Sequence, residues 1–287
     1  MAIIYFNGRW LPLNRAGVSP LDRGFLYGDG VFETIRAYHG TLFQIGAHLR
    51  RFYRSARLIS LKIPESGPSL ETIARQVLKK NHLKNAMVRL TCSRGVNLFG
   101  LDLPANAEPT LILMAFPLIP IDQSGYQKGI KVRIVSSVRT LSDQILARVK
   151  SNNALAHILA RLEAKKSGAD EGILLNEKGF LTEGTVSNLF LVRNGKLLTP
   201  SEDSGILAGI TRNVVISLAK KVPVPVVETR IRPQILVRAD ECFVTNSRIE
   251  IMPVCQINDR PVGSGKPGAI TNSLMNLFKR KVISGNK

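Results

Sequence analysis

Four short stretches of this 287-residue chain carry side chains of types that do chemistry. In LARVKSNNALAHILARLEAKK, residues 146–166, Lys150 lies among Leu146, Val149 and Leu155. A lysine in apolar company can lose its proton near neutral pH and act as nucleophile or base. A lysine that packs its stem and sends its ammonium to water has the same neighbours. In FLTEGTVSN, Glu183 stands directly before Gly184. It is either an exposed strand residue or an anion for a cofactor ring nitrogen that must stay protonated. In GITR, Gly209 leads into Ile210 and Thr211. Main-chain N–H groups at such a helix start, with the threonine hydroxyl, suit a phosphate, and a plain threonine-capped helix reads alike. In HLRRFYRSARLI, Arg50, Arg51 and Arg54 cannot share one helix face, since neighbours lie about 100° apart. One of them, with Arg51 the candidate, can turn inward to a phosphate.

These residues need elements to hold them. Leu155, Ile158, Leu159 and Leu162 recur at the i, i+3, i+4, i+7 spacing of an amphipathic helix, with Ser151 or Asn152 as its N-cap. Lys150 then falls just before a helix start, where the macrodipole favours anions and a bare cation is out of place. AIIYFNGRWLPL reads as a hairpin on Asn7-Gly8, and GVFETIRAYHGTLFQI as a second on His39-Gly40. Helices over 45–60 and 69–80, with strands in NAMVRLTCSRG and PTLILMAFPL, complete an α+β domain over residues 1–115. FPLIPIDQSGYQKG, residues 116–129, carries two prolines and two glycines and breaks both periodicities, as a linker does. Residues 130–287 form a larger second domain. It holds the strand IKVRIVSSVRT, the helix after Lys150, the meander EGILLNEKGFLTEGTVSNLFLVRNGKLLTP, the helix opened by GITR, the strands of ADECFVTNSRIEIMPVCQINDRPV and a terminal helix.

Composition bounds the function classes. Hydrophobic residues at 44% and charged residues at 21% describe a globular chain able to bury a core. No apolar run reaches the roughly 20 residues that span a bilayer, and MAIIYFNGRW lacks the pattern of a signal peptide, so no membrane association and a cytoplasmic location are expected. Cys92, Cys242 and Cys255, with four scattered histidines, indicate neither disulfides nor a metal site. The net charge of +19 raises nucleic acid as a partner, yet the basic residues are spread along the chain and no RRM, KH or zinc-finger pattern is present. A solvated, anion-attracting surface is the better reading, with no nucleic-acid partner.

In this order and spacing the motifs resemble the class IV aminotransferase family, fold-type IV enzymes that use pyridoxal 5′-phosphate (PLP), over nearly the whole chain. GFLYGDGVFETIRAYHG is similar to the family's N-terminal signature, and HLRRFYRSA to the helix whose arginine, here Arg51, grips the cofactor phosphate. KSNNAL looks like the segment of the Schiff-base lysine, Lys150, and EGILLNEKGFLTEGTVSNLFLV like the stretch whose glutamate, Glu183, pairs with the pyridine nitrogen. GILAGITRNVV corresponds to the phosphate-binding turn, Ile210 and Thr211, and FVTNSRIEIMPV to a loop around Ser247. The resemblance implies a small N-terminal α/β domain, a larger C-terminal pseudo-barrel domain, an active site in the cleft between them, and a homodimer. It also implies ping-pong transfer of an amino group from an amino acid to a 2-oxo acid.

The branch of the family is less marked. Branched-chain L-amino-acid aminotransferases place a tyrosine where this chain has Leu155 and usually a glycine where it has Thr34. D-amino-acid aminotransferases carry an arginine and a histidine in the loop that here reads SRGVNLFGLD, which has neither beyond Arg94. Arg36, Arg89, Arg94 or Arg248 can supply a differently placed guanidinium for a substrate carboxylate. Thr34 and Thr245 to Ser247 resemble aminodeoxychorismate lyases. The expectation is therefore an aminotransferase for a D-amino acid or a branched-chain L-amino acid. A lyase forming 4-aminobenzoate and pyruvate is the alternative, and a basic nucleic-acid-binding protein the remote one.

Overall fold

The computed structural model describes residues 1–97, 100–103, 108–142 and 144–284, so two positions of SRGVNLFGLD, 98 and 99, lie outside it. The chain forms two compact units, one of Met1–Ile119 with Val149–Ala154, the other of Pro120–Arg148 with Leu155 onward.

In the first unit both expected hairpins form, as β1 (Ile3–Phe6) with β2 (Arg9–Pro12) and, after α1 (Arg23–Tyr27), as β3 (Gly30–Tyr38) with β4 (Thr41–Leu42). Helices α2 (Ile45–Leu58) and α3 (Gly67–Lys80) follow, then β5 (Ala86–Ser93) and β6 (Thr110–Pro117). The antiparallel sheet runs β2-β1-β6-β5-β3-β4. Ser66 caps α3 with its side chain on the Ser69 N–H, the ordinary use of a serine at a helix start. Leu49, Phe52 and Ala56 of α2 and Leu70, Ala74 and Val77 of α3 share one core with Val31, Ile35, Val88, Leu90, Leu111 and Leu113 of the sheet. Each such large side chain contributes about 1.5–3 kcal/mol by leaving water.

The second unit holds α4 (Gln123–Lys128), which lies within the stretch expected as a linker, then β7 (Ile130–Thr140), α5 (Ile145–Arg148) and α6 (Leu155–Lys166). The meander forms β8 (Glu171–Asn176), β9 (Leu181–Gly184), β10 (Asn188–Arg193) and β11 (Lys196–Pro200). After it come α7 (Ile210–Ala219), β12 (Val226–Thr229), α8 (Pro233–Val237), β13 (Glu241–Asn246), β14 (Glu250–Ile257), β15 (Arg260–Pro261) and α9 (Ala269–Ser284). The sheet order is β12-β11-β10-β13-β14-β7-β8-β9, and β9 pairs back onto β10 at Glu183 and Asn188. Six strands thereby close into a barrel-like ring. β8 and β9 are buried at every position, as expected where both faces of a strand are covered.

Two expectations about the Lys150 segment are corrected. Neither Ser151 nor Asn152 caps α6, which starts at Leu155. Ser151 instead bridges Val31, and the Asn152 N–H goes to the Gly30 carbonyl at 2.9 Å. Main-chain pairing with β3 thus holds both residues ahead of the helix start, and the would-be capping atom Asn152 Oδ1 has no hydrogen-bond partner among the described residues. The apolar stripe that such a helix ordinarily buries is open: Leu155, Ile158, Leu159 and Leu162 are 47–62% exposed, and α6 packs inward through Ala160 and Ala164.

Candidate active site

Lys150 is held through its main chain from two sides. Its carbonyl accepts the Phe32 N–H at 3.0 Å and its own N–H donates to Ser55 Oγ at 3.2 Å. Residues 150–152 thus form a short antiparallel step along the start of β3. This close approach requires Gly30, where a Cβ would lie 2.6 Å from Asn152 Nδ2 and 2.7 Å from the Cys92 carbonyl. The side chain is half-buried, with Nζ 4.4 Å from the Phe32 ring centroid, so an aromatic face steadies the cation.

The alternation of β3 sorts its residues. Val31, Glu33, Ile35 and Ala37 are buried, while Phe32, Thr34 and Arg36 are half-buried on the other face. On β5 the direct partners are Thr91 for Phe32, Arg89 for Thr34 and Met87 for Arg36. The Arg89 guanidinium stacks 3.5 Å from the Phe32 centroid and donates from Nε to Thr91 Oγ1 at 3.2 Å. Burial pulls its pKa down to about 10 against the opposing charge of Glu33, which leaves it cationic at neutral pH. Arg36 lies 4.4 Å over the Tyr38 ring. Phe32, Thr34, Arg36, Arg89 and the Lys150 ammonium therefore share one neighbourhood.

Behind that face lies a carboxylate that the sequence reading missed. Glu33 accepts from Arg51 Nε at 2.7 Å, from Arg51 Nη2 at 2.8 Å and from His48 Nδ1 at 2.7 Å. Burial pushes its pKa up, but the Arg51 charge and the three hydrogen bonds prevail and hold it down at about 2. Burial also keeps His48 below its ordinary value, against the pull of Glu33. An ionised Glu33 can only accept, so Nδ1 carries the hydrogen. His48, Arg51 and Ser55 fall at i, i+3, i+7, one face of α2.

Arg94 leaves the set of carboxylate candidates. It is buried, with Nε and Nη2 on Asp29 at 2.8 and 3.1 Å, Nη1 on the Ser60 carbonyl and Nη2 on the Ile59 carbonyl. Arg23 completes the staple, bonding Asp29 and the carbonyls of Gly100 and Leu101. An arginine in SRG is legible as a carboxylate trap only if its partners, 35 and 65 positions away, are ignored.

In the second unit three of the expected motifs meet around Asn188, a residue not singled out in sequence. Its Nδ2 donates to Glu183 Oε2 at 3.0 Å and to the Leu207 carbonyl at 2.9 Å. The Leu207 N–H reaches the same Oε2 at 3.2 Å. Glu183 is therefore a buried carboxylate with two N–H donors. Two residues on, a Cβ at Gly209 would sit 1.8 Å from Asn188 Oδ1, so only glycine lets α7 start there. Gly209 caps α7 without a side chain, and Ile210 and Thr211 behind it are buried. Asn188 is also the register partner of Thr245, whose Oγ1 is buried with no hydrogen-bond partner among the described residues.

Ser247 lies two residues beyond Thr245 in the β13–β14 turn, half-buried, and Arg248 is exposed. Asn246 shapes this turn, accepting from the N–H groups of Arg248 and Ile249 at 2.8 and 2.9 Å and donating to the Val186 carbonyl at 3.0 Å. A second buried carboxylate, Glu171, accepts from Arg161 Nη1 at 2.9 Å, from the N–H and hydroxyl of Thr185, and from Ser187 Oγ at 3.1 Å. It fixes the turn that leads out of Glu183. Among the described residues no cluster suits a metal ion, and no helix is long and apolar enough to cross a membrane.

The amino-transferase class IV family model matches residues 30–257. The chain is 41% identical over 276 residues to a putative branched-chain-amino-acid aminotransferase of Methanocaldococcus jannaschii, covering 96% of this chain and 95% of that one. It is 35% identical to the aminodeoxychorismate lyase of Bacillus subtilis (98% and 94% covered). It is 34% identical to a D-alanine aminotransferase of Staphylococcus haemolyticus (99% of both). The T.th. branched-chain amino acid aminotransferase solved with pyridoxamine 5′-phosphate matches with a TM-score of 0.94 at 31% identity, over 100% of this chain and 95% of that one.

Proposed function

The chain belongs to the class IV aminotransferase family, and from that premise we propose how its residues move an amino group between an amino acid and a 2-oxo acid. The family's cofactor, PLP, supplies an aldehyde that takes up an amine and a ring that accepts the electron pair left when a Cα proton departs. The residues of this chain fit such a group. A buried hydroxyl at Thr245 lacks a partner among the described residues, and α7 opens at Gly209 without a side-chain cap.

The residues that would hold the phosphate are Arg51, by its guanidinium, and Ile210 and Thr211, by helix-start N–H groups, with the Ser247 hydroxyl beside them in the family's pattern. Glu183, fixed by Asn188 and Leu207, keeps a proton on the ring nitrogen. Lys150 would be the amine for the aldehyde and the base for the substrate Cα proton. The observation that carries this reading is the double main-chain anchoring of Lys150, which fixes where Nζ works. Arg89 beside Phe32, or else Arg36 or Arg248, would meet a substrate carboxylate.

The test is a half-reaction screen in which the loaded protein meets single L- and D-amino acids while the cofactor absorbance is followed. Conversion to the aminated form identifies the donor and its handedness; no conversion by any of them ends the transaminase reading. Thr34 favours a second reading. Its place opposite Arg89 sets a hydroxyl beside a cation on the face shared with Lys150, which suits the aminodeoxychorismate lyase reaction, and pyruvate released from that substrate is its signature.

The reading includes a homodimer. The open stripe on α6 and, on the first unit, Phe25, Leu101 and Leu103 are apolar side chains that a monomer leaves in water, and such surfaces mark association.

A further inference from the structure

Glu33 is a buried carboxylate that the proposed reaction does not use. It occupies the inward row of β3 with Val31, Ile35 and Ala37, where an apolar side chain would avoid the desolvation of a charge. Its three hydrogen bonds all go to α2, and two of them grip Arg51 side-on through Nε and Nη2. The third, from His48, occupies Oε2 as well and stops the carboxylate from turning. The same face of α2 presents Ser55 to the Lys150 N–H, so one helix face sets the register of the arginine and of the lysine.

We propose that Glu33 is a positioning residue for cofactor binding: it presets the Arg51 guanidinium for the phosphate, with His48 locking the carboxylate. An arginine ordered before the ligand arrives does not subtract its ordering from the affinity. Glu33 lowers the net charge available to a phosphate, so its benefit is orientation rather than field. The inference rests on the reading of Arg51 as a phosphate ligand.

The experiment measures binding of PLP and of pyridoxal, which lacks the phosphate, to the cofactor-free full chain by absorbance titration. In Glu33→Gln the amide nitrogen becomes a donor facing the donors of Arg51 and His48, so the guanidinium loses its seat. The ratio of PLP to pyridoxal affinity is expected to fall at least tenfold, with pyridoxal affinity little changed. Glu33→Asp, which keeps the charge but withdraws it by one methylene, is expected to lower the ratio in the same direction and serves if the glutamine variant does not fold. Arg51→Gln is expected to lower the ratio too, and Glu33→Gln to add nothing in that background. Equal losses for both ligands, or a ratio unchanged in Glu33→Gln or Glu33→Asp while Arg51→Gln reduces it, overturns the proposal. A ratio unchanged in Arg51→Gln overturns instead the phosphate reading on which it rests.

Discussion

Asn188 and Glu183 face each other where β9 meets β10, and the asparagine donates from Nδ2 to Oε2 of the glutamate at 3.0 Å. One pair thus closes the ring of strands and orients the carboxylate. In Asn188→Ala the Leu207 carbonyl and one lone pair of Glu183 lose their donor inside the protein. A loss of about 1–3 kcal/mol in unfolding free energy is expected, measured by urea denaturation of the cofactor-free chain. An unchanged midpoint would show that the pair carries no weight.

Acid should destabilise the chain through Glu33 and His48. Glu33 has its pKa depressed from 4.5 to about 2 on folding, so its stabilisation is complete above about pH 4.5 and is lost as pH falls towards 2. The difference is worth on the order of 3 kcal/mol. His48 acts in the same direction. The unfolded chain takes up a proton near pH 6.5 that the buried imidazole resists, so stability declines below that pH. Urea midpoints measured from pH 7 to pH 3 are expected to fall steadily in the wild type. In Glu33→Gln, which has no carboxyl to titrate there, the fall below pH 4.5 should be shallower. Parallel curves would contradict the assignment.

Arg94 is expected to matter for stability and not for substrate. Arg94→Ala leaves Asp29 paired with Arg23 and removes the donors to the Ser60 and Ile59 carbonyls, so it is expected to lose about 1–3 kcal/mol and to show a lower urea midpoint. Its KM for the amino donor, taken at a temperature where it is folded, should stay within about threefold. A large rise in KM with normal stability would return Arg94 to the substrate.

The stripe on α6 predicts an association that a charge can break. With Ile158 and Leu159 both changed to Glu, light scattering on a sizing column should show the mass of a single chain where the wild type shows two. Wild type running at one chain mass would remove the dimer.

Local signals were legible in the sequence where local chemistry decides. Asn7-Gly8 and His39-Gly40 marked their hairpins, and Lys150, Glu183 and the GITR turn each stand in a short motif. What escaped depends on pairings that spacing does not encode. Glu33 meets His48 and Arg51 only after β3 and α2 pack, and Asn188 meets Leu207 only when α7 returns to the barrel. The cap expected at Ser151 or Asn152 failed because residues 150–152 pair with β3, more than a hundred positions earlier. The apolar rhythm of α6 located an apolar face but not what covers it.

The central claim, that Lys150 is the residue joined to the cofactor, is tested most directly by borohydride reduction followed by peptide mass spectrometry. The protein incubated with PLP is predicted to show an absorbance band that borohydride bleaches, with the added mass on the peptide that contains Lys150 and absent from Lys150→Ala. Reduction that marks another lysine, or none, would contradict it.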